Sequence, residues 1–406
     1  PVRGQGQISS GKDGVCMVNG WKTKKLGEVA EVCMCKRIFA HQTSKIGNIP
    51  FYKIGTFGKE ADAYISSQLY EEYKAKYSYP EKGDVLISAA GTLGRTVVFD
   101  GRPAYFQDSN IVWLKIDKSQ LCNDYLAHYY KVIKWASSEG STISRLYNGI
   151  ICDTEILLPP LEEQAAIAEA LSDVDSLISS LQKLIEKKKA IKQGTMQELL
   201  TGKKRLPEFS GEWNQFRLGE MTEIYSGGTP STTISEYWGG SIPWMSSGEL
   251  NNKKIYDVEG RITQKGMQNS SAHLIPKYCV LIGLAGQGKT RGTAAYNYIS
   301  LCTNQSIAAI YPNDKKFDSR FLYYIIDSMY ESLRELSSGD GGRGGLTKGL
   351  ISNLEIYMPE VPEQQAVAQV LSDMDSEIEQ LEKKLAKYQQ IKQGMMQELL
   401  TGRIRL

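Results

Sequence analysis

Histidine is scarce in this chain: three residues in 406, at His41, His128 and His273, none beside a cysteine or carboxylate motif. That scarcity argues against a His-based catalytic triad and against a histidine-rich metal site. The seven cysteines are an odd number and are scattered, and Cys33-Met34-Cys35 has one intervening residue instead of the two of common zinc or redox pairs. Reduced thiols in a cytoplasmic protein are expected. No apolar run approaches about 18 residues, so no membrane span is expected. The opening PVRGQGQISSGKDG has no apolar core of a secretory leader. Residues 1–20 read as a flexible tail, and the initial Pro fits processing or trimming. Charge of one sign is also missing: 48 basic against 46 acidic residues leave +2. Any surface for a polyanion must therefore be local.

What the chain has is itself, twice. Residues 161–206 return at 361–406 with a shift of 200 and no gap, and roughly 26 of 46 aligned positions are identical. In the first copy Ile167, Leu171, Val174, Ile178, Leu181 and Ile185 follow steps of four and three. In the second, Val367, Leu371, Met374, Ile378, Leu381 and Leu385 hold the same phase, and Tyr388 extends it. Both are a/d seams of long helices. Pro159-Pro160 and Pro359 to Pro362 mark the entries, Glu163 and Glu363 suit the helix dipole, and Gly202 and Gly402 fit C-terminal stops. A helix from about 163 to 200 spans roughly 55 Å. Its apolar stripe needs cover, and the duplicate is the available partner, antiparallel if the intervening block returns the chain. Two helices packed separately on their own domains is the alternative.

The duplication extends beyond the helices. Trp21 and Leu26-Gly27-Glu28 answer to Trp213 and Leu218-Gly219-Glu220; Ile49-Pro50-Phe51 answers to Ile242-Pro243-Trp244; Val85-Leu86-Ile87 answers to Val280-Leu281-Ile282. The register drifts from 192 to 200, which puts insertions in the blocks. Strands are expected at 85–88, 96–99, 111–116, 280–284 and 307–311, and helices at 124–136 and 319–336. The fold class is mixed α/β (α+β), two related blocks in pseudo-two-fold repeat, each followed by a long helix. The divisions are 1–20, 21–158, 159–206, 207–358 and 359–406. The helices are nearly the same part used twice, whereas the blocks share a scaffold and differ in surface.

This arrangement resembles the specificity subunit of type I restriction-modification systems. The resemblance rests on the paired helix ends, Ile191-Lys192-Gln193-Gly194 to Gly202 and Ile391-Lys392-Gln393-Gly394 to Gly402. It rests also on the Leu-Gly-Glu openings after each tryptophan and the Pro-x-x-x-Glu-Gln helix entries. It covers nearly everything beyond the tail. It implies a non-catalytic DNA reader whose two target-recognition domains, 21–158 and 207–358, each read half of a split double-stranded target. The helices, as an antiparallel coiled coil, set the spacing. It also implies docking of two adenine methyltransferase subunits, which carry S-adenosylmethionine, and of restriction subunits that use ATP, with no cofactor in this chain.

Base reading needs polar side chains on loops, and phosphate contact needs Lys, Arg or backbone amides. In the first block the candidates are Lys36, Arg37, Thr92, Arg95, Gln107 and Asn110; His41-Gln42 lie beside the first two, and the last two bound the run Gln107-Asp108-Ser109-Asn110. In the second, Gly286 to Arg291 and Thr303 to Ser306 are the positional counterparts, which gives Gln287, Lys289, Arg291, Asn304 and Gln305. Arg343, between glycines, is the last candidate. Two other readings stand. One is a pseudo-symmetric coiled-coil scaffold for proteins without DNA. The other is a phosphate-loop NTPase, from Gly283-Leu284-Ala285-Gly286-Gln287-Gly288-Lys289-Thr290, which matches G-x-x-x-x-G-K-[ST] after a strand but leads into an extended stretch, Arg291 to Tyr296. Gly194 and Gly394, inside helical pattern, signify either a kink or the close approach of another helix.

Overall fold

The computed structural model describes residues 9–10, 16–17, 20–133, 135, 145–286, 288–336 and 345–406. Of the expected tail, 1–20, only residues 9–10, 16–17 and 20 are among them, and Ser9–Ser10 pairs antiparallel with Cys16–Met17 in place of an unstructured run. The chain divides into two units: residues 1–182 with 383–406, and residues 183–382. Each unit therefore contains part of both long helices, Leu161–Leu199 and Val361–Leu399.

In the first unit an antiparallel sheet of four strands runs in the order Ala30–Met34, Ile111–Ile116, Val85–Ser88, Thr96–Val98. Val85 to Ile87 and the start of Ile111–Ile116 are apolar and buried, as central strands require. A smaller sheet, Tyr64–Ile65, Ile49–Tyr52, Tyr105–Phe106, packs beside it over an aromatic core of Phe51, Phe57, Tyr105 and Trp113. The other core joins Trp21, Leu26, Tyr125 and Leu126 to Ile167, Ala168 and Leu171 of the first long helix and Leu399-Leu400 of the second.

The second unit repeats this plan. Its main sheet orders Ile224–Ser226, Ile307–Ile310, Val280–Gly283, Ala294–Asn297 and Lys254–Ile255. Its three-stranded sheet is Gly260–Ile262, Trp238–Met245, Cys302–Thr303. Leu218, Phe321 and Leu322 share a core with Val367, Ala368, Leu371 and Leu199-Leu200.

Within each unit the helix segments run antiparallel. In the first, Glu163 is held by Arg405 at 2.9 and 2.7 Å while Asp175 pairs with Lys392. In the second, Glu363 is held by Arg205 at 2.5 and 2.6 Å, Asp375 pairs with Lys192, Glu377 with Lys188 at 2.7 Å, and Glu382 with Lys189 at 2.6 Å. From Glu163 to Asp175 the partner falls from Arg405 to Lys392, and from Glu363 through Asp375 to Glu377 it falls from Arg205 through Lys192 to Lys188. Of the seam, Ile167, Leu171, Leu181, Ile185, Val367, Leu371 and Ile378 are buried, and Val174, Ile178, Met374, Leu381, Leu385 and Tyr388 are half-buried. Ile167, Leu171, Val367 and Leu371 contribute to domain cores as well as to helix pairing.

Several expectations are corrected. Glu163 and Glu363 lie in the first turn as expected and have a second role, as buried partners of arginines, and Trp21 Nε1 donates to Glu163 at 3.2 Å. Gln164 and Gln364 do the clamping at each entry. Gln164 accepts from the Cys122 amide and donates to the Pro159 carbonyl, both at 2.9 Å; Gln364 accepts from the Asp318 amide at 2.9 Å and donates to the Pro359 carbonyl at 2.8 Å. Pro362 lies inside the helix, in the first turn where its missing N–H is tolerated. The helix expected at 124–136 is Asn123–Tyr129, and that at 319–336 breaks at Met329 into Ser319–Ser328 and Tyr330–Leu336. Strands expected to reach 99, 284 and 311 end one residue earlier. Gly202 and Gly402 have φ of +69° and +72°, the left-handed geometry that ends a helix. The helices pass through Gly194 and Gly394 without interruption, and an added Cβ at either meets nothing within 4 Å, so no helix among the described residues approaches them closely.

His128 is buried, with Nε2 3.0 Å from Ser172 Oγ and no partner at Nδ1. Burial, aided by Lys131 and Lys392 and opposed by Asp175 and Asp124, pulls its pKa from 6.5 down to about 4. The unfolded chain therefore binds more protons between those values, and stability contributed by neutral His128 is lost as pH falls from 6.5 towards 4. His128→Gln is expected to flatten this loss. Urea midpoints at pH 7 and pH 4.5 check it, and an equal fall in both proteins would refute the assignment.

Candidate nucleic-acid interface

In the first unit two loops meet beyond the main sheet. The turn after Val85–Ser88 is closed by Ser88, whose Oγ donates to the Thr92 carbonyl at 2.5 Å and accepts from the Arg95 amide at 2.8 Å. Gly91 and Gly94 have φ of +66° and +74°, and a Cβ on Gly94 would lie 2.6 Å from Trp135 Nε1. Thr92 is exposed. Arg95 is half-buried and donates to the Phe57 carbonyl at 2.8 Å, so part of its guanidinium is committed to the scaffold. The second loop, 107–110, lies alongside: the Ala89 amide donates to the Asn110 carbonyl at 2.8 Å. Gln107 accepts from the Ile54 amide at 2.9 Å, and Asp108 receives Arg37 Nε at 2.6 Å.

Arg37, Gln107 and Asn110 line one cleft of about 430 Å³, together with Lys53, Asp108 and Arg145. Arg145 grips Ser109 Oγ at 2.7 Å. Lys36 stands apart, exposed, its ammonium 5.1 Å from the Tyr77 ring centre. Sequence reasoning placed Asp108 among the candidates, in the run Gln107-Asp108-Ser109-Asn110, and missed Arg145 and Lys53 as cleft residues. Arg145 carried no signal, because its counterpart at the 200-residue shift is Gly345.

The second unit builds the same pair of loops with different contents. The Leu284 amide donates to the Ser306 carbonyl at 2.8 Å, as Ala89 does to Asn110. Asn304 braces the scaffold through Ser247 Oγ at 3.4 Å, and exposed Gln305 accepts from Thr229 Oγ1 at 2.5 Å. The loop is one residue shorter than its counterpart. Both Gln107 and Asn304 donate their amides to the small sheet, to the Tyr52 and Met245 carbonyls, so Gln107 corresponds to Asn304 and not to Thr303. Lys289 is exposed at a hairpin tip whose backbone is pinned: its carbonyl accepts from Thr293 Oγ1 at 2.6 Å and from Tyr330 OH at 3.2 Å. Arg291 is half-buried. Gln287 and Arg343 lie outside the described residues.

The hairpin also decides the phosphate-loop pattern. Gly292 donates to Gly283 at 2.9 Å, and Ala294–Asn297 pairs antiparallel with Val280–Gly283. A strand, not a helix, follows the loop, so the helix N-terminus that a nucleotide phosphate needs is missing and this reading is discarded. Burial pushes the thiols of Cys35 and Cys279 up to about 12, which keeps them protonated and poor nucleophiles. Among the described residues no group of three His, Cys, Asp or Glu is placed to hold a metal ion, and no helix is long and apolar enough to cross a membrane.

Residues 19–193 and 210–393 match the model of the type I restriction modification DNA specificity domain, twice in succession. A Haemophilus influenzae protein assigned as a type I restriction enzyme specificity subunit is 56% identical over 160 residues, 39% of this chain and 42% of that protein. The chain thus spans under half the length of that relative. A Methanocaldococcus jannaschii protein assigned as the MjaX specificity subunit is 25% identical, over 95% of this chain and 94% of its own length. A solved type I restriction-modification S subunit from M. genitalium shares the fold, with a TM-score of 0.64 at 16% identity, over 94% of this chain and 96% of that one.

The rigidity of the first loop pair is open to test. Gly94→Ala combines an unfavourable φ with the clash at Trp135, and a stability loss of about 1–3 kcal/mol is expected in urea unfolding. An unchanged midpoint would mean that the turn yields without cost.

Proposed function

The chain belongs to the type I restriction modification DNA specificity family, and on that premise we propose that it reads a split double-stranded DNA target, one half-site per block. Specificity subunits are the non-catalytic part of such systems, and DNA recognition is their role. The observation that carries the reading is one loop scaffold built twice and filled with different side chains. Two unlike readers in one chain select a target whose halves need not match, and a stiff connection between them fixes the spacing.

In this reading Lys36, Arg37, Thr92, Arg95, Gln107 and Asn110 face one half-site. Gln287, Lys289, Arg291, Asn304, Gln305 and Arg343 face the other, the basic members meeting phosphates and the polar ones base edges. The long helices act as spacer and as docking surface for two adenine methyltransferase subunits; Gly194 and Gly394, open to added bulk, suit a partner's close approach. S-adenosylmethionine belongs to those subunits and ATP to restriction subunits that join them. The compartment is the cytoplasm, where the target DNA is.

Replacing residues 21–158 by the corresponding block of another such protein is expected to change one half of the methylated sequence and leave the other intact. Mapping methylated adenines after assembly with the methyltransferase checks this; a change in both halves, or in neither, sinks the two-reader account. Lys289→Ala is expected to weaken binding evenly across sequences and to reduce the slope of log affinity against log salt by about 1. An unaltered slope in a salt titration would remove Lys289 from the phosphate contacts.

A further inference from the structure

The two loop scaffolds coincide residue by residue at one further place. In the first unit Met34 pairs with Val112, and the Ile111 amide, just before it, donates to the Gln107 carbonyl. In the second, Ser226 pairs with Ala308, and the Ile307 amide donates to the Asn304 carbonyl. Three residues beyond Met34 stands Arg37; three beyond Ser226 stands Thr229. Each reaches the tip of the facing loop, Arg37 to Asp108 at 2.6 Å and Thr229 to Gln305 at 2.5 Å. The residue before each tip, Gln107 or Asn304, is an amide that braces the scaffold in both units. The bracing is kept while the tip contact changes from an ion pair to a hydroxyl–amide bond.

Packing does not demand that change. Arg37 is 62% exposed at its side chain and Gln305 is exposed, so neither contact fills a core. An exposed ion pair contributes little to stability. Each tip does present a distinct arrangement of donors and acceptors on a braced loop.

We propose that Arg37–Asp108 and Thr229–Gln305 are the base-discriminating pairs of the two half-sites. The inference rests on the DNA-reading function proposed above and assigns the chemistry within it. An Arg donates to guanine O6 and N7 while an Asp accepts from cytosine N4, so the first pair matches the major-groove edge of a G·C pair. A Gln answers adenine N6 and N7 while a Thr methyl meets the thymine methyl, so the second pair matches an A·T pair. The first half-site contains a G·C pair read by Arg37 and Asp108, and the second an A·T pair read by Thr229 and Gln305.

The test exchanges the pairs in the full chain, assembled with its methyltransferase, and maps the methylated adenines. Arg37→Thr with Asp108→Gln is expected to shift one or two adjacent positions of the first half from G·C to A·T, by roughly 5- to 150-fold in preference, with the second half intact. Thr229→Arg with Gln305→Asp makes the mirror change in the second half alone, and supplies the answer if the first variant does not assemble. Unchanged half-sites with methylation retained overturn the inference, as does loss of methylation on every sequence by both variants, which makes the pairs structural. If exchange of residues 21–158 alters the first half while the pair exchange does not, this inference falls and the reading function stands. If the block exchange alters neither half, the reading function falls with it.

Discussion

The structure depends on a repeated lock between an acid on one long helix and a base at, or just beyond, the far end of the other. Glu163 with Arg405 and Asp175 with Lys392 close the first unit; Glu363 with Arg205 and Asp375 with Lys192 close the second. Every acid and every base in these locks occurs at the same place in both copies of the helix. Because the glutamates are nearly buried, removing an arginine leaves a charge without compensation, which costs far more than an intact pair contributes. The locks therefore set register more than they add stability. Leu199-Leu200 and Leu399-Leu400 follow that register into the cores they complete.

The two units meet this constraint differently along the chain. The second is one continuous run, residues 183–382, whereas the first joins residues 1–182 to residues 383–406. Closing the first core needs contacts across more than two hundred residues, and the loop-closure entropy is offset only when the C-terminal helix end has arrived. A chain made from its N-terminus can finish the second unit before the first, although the first block is made earlier.

The helices were legible in the sequence because a buried stripe imposes a period that loops do not have. The seam follows from it, the glycine stops follow from the left-handed backbone at Gly202 and Gly402, and the central strands are apolar because they too are buried. The role of Glu163 and Glu363 was not legible, since a first-turn acid satisfies the helix dipole whether or not an arginine lies beside it. The loop register was missed by one residue, because Asn304 and Gln107 differ in type and correspond only through backbone hydrogen bonds to Met245 and Tyr52. Arg145 and Lys53 reach their cleft by tertiary folding alone, and no local pattern marks them. The phosphate-loop match shows the converse failure: eight residues satisfied a pattern whose physical content, the helix after the loop, was replaced by a strand.

A fold that must hold one geometry while changing what it reads needs its bracing and its reading assigned to different side chains. Here Gln107 and Asn304 hold the loop from within, through an amide or hydroxyl of the scaffold, and these contacts involve no residue of the tip. The tip contacts, Arg37 with Asp108 and Thr229 with Gln305, are partly or largely exposed, so their exchange alters little buried surface and costs little in folding. The second unit narrows this freedom at one point. Gly227 and Gly228 pass so close to Thr303 and Ser271 that a Cβ on either would lie within 2.4 Å of a neighbour, whereas the first unit places Cys35 and Lys36 there. The strand exit that carries Thr229 is therefore confined to glycine while Thr229 itself is not, and variation is directed to the one side chain that reaches the tip.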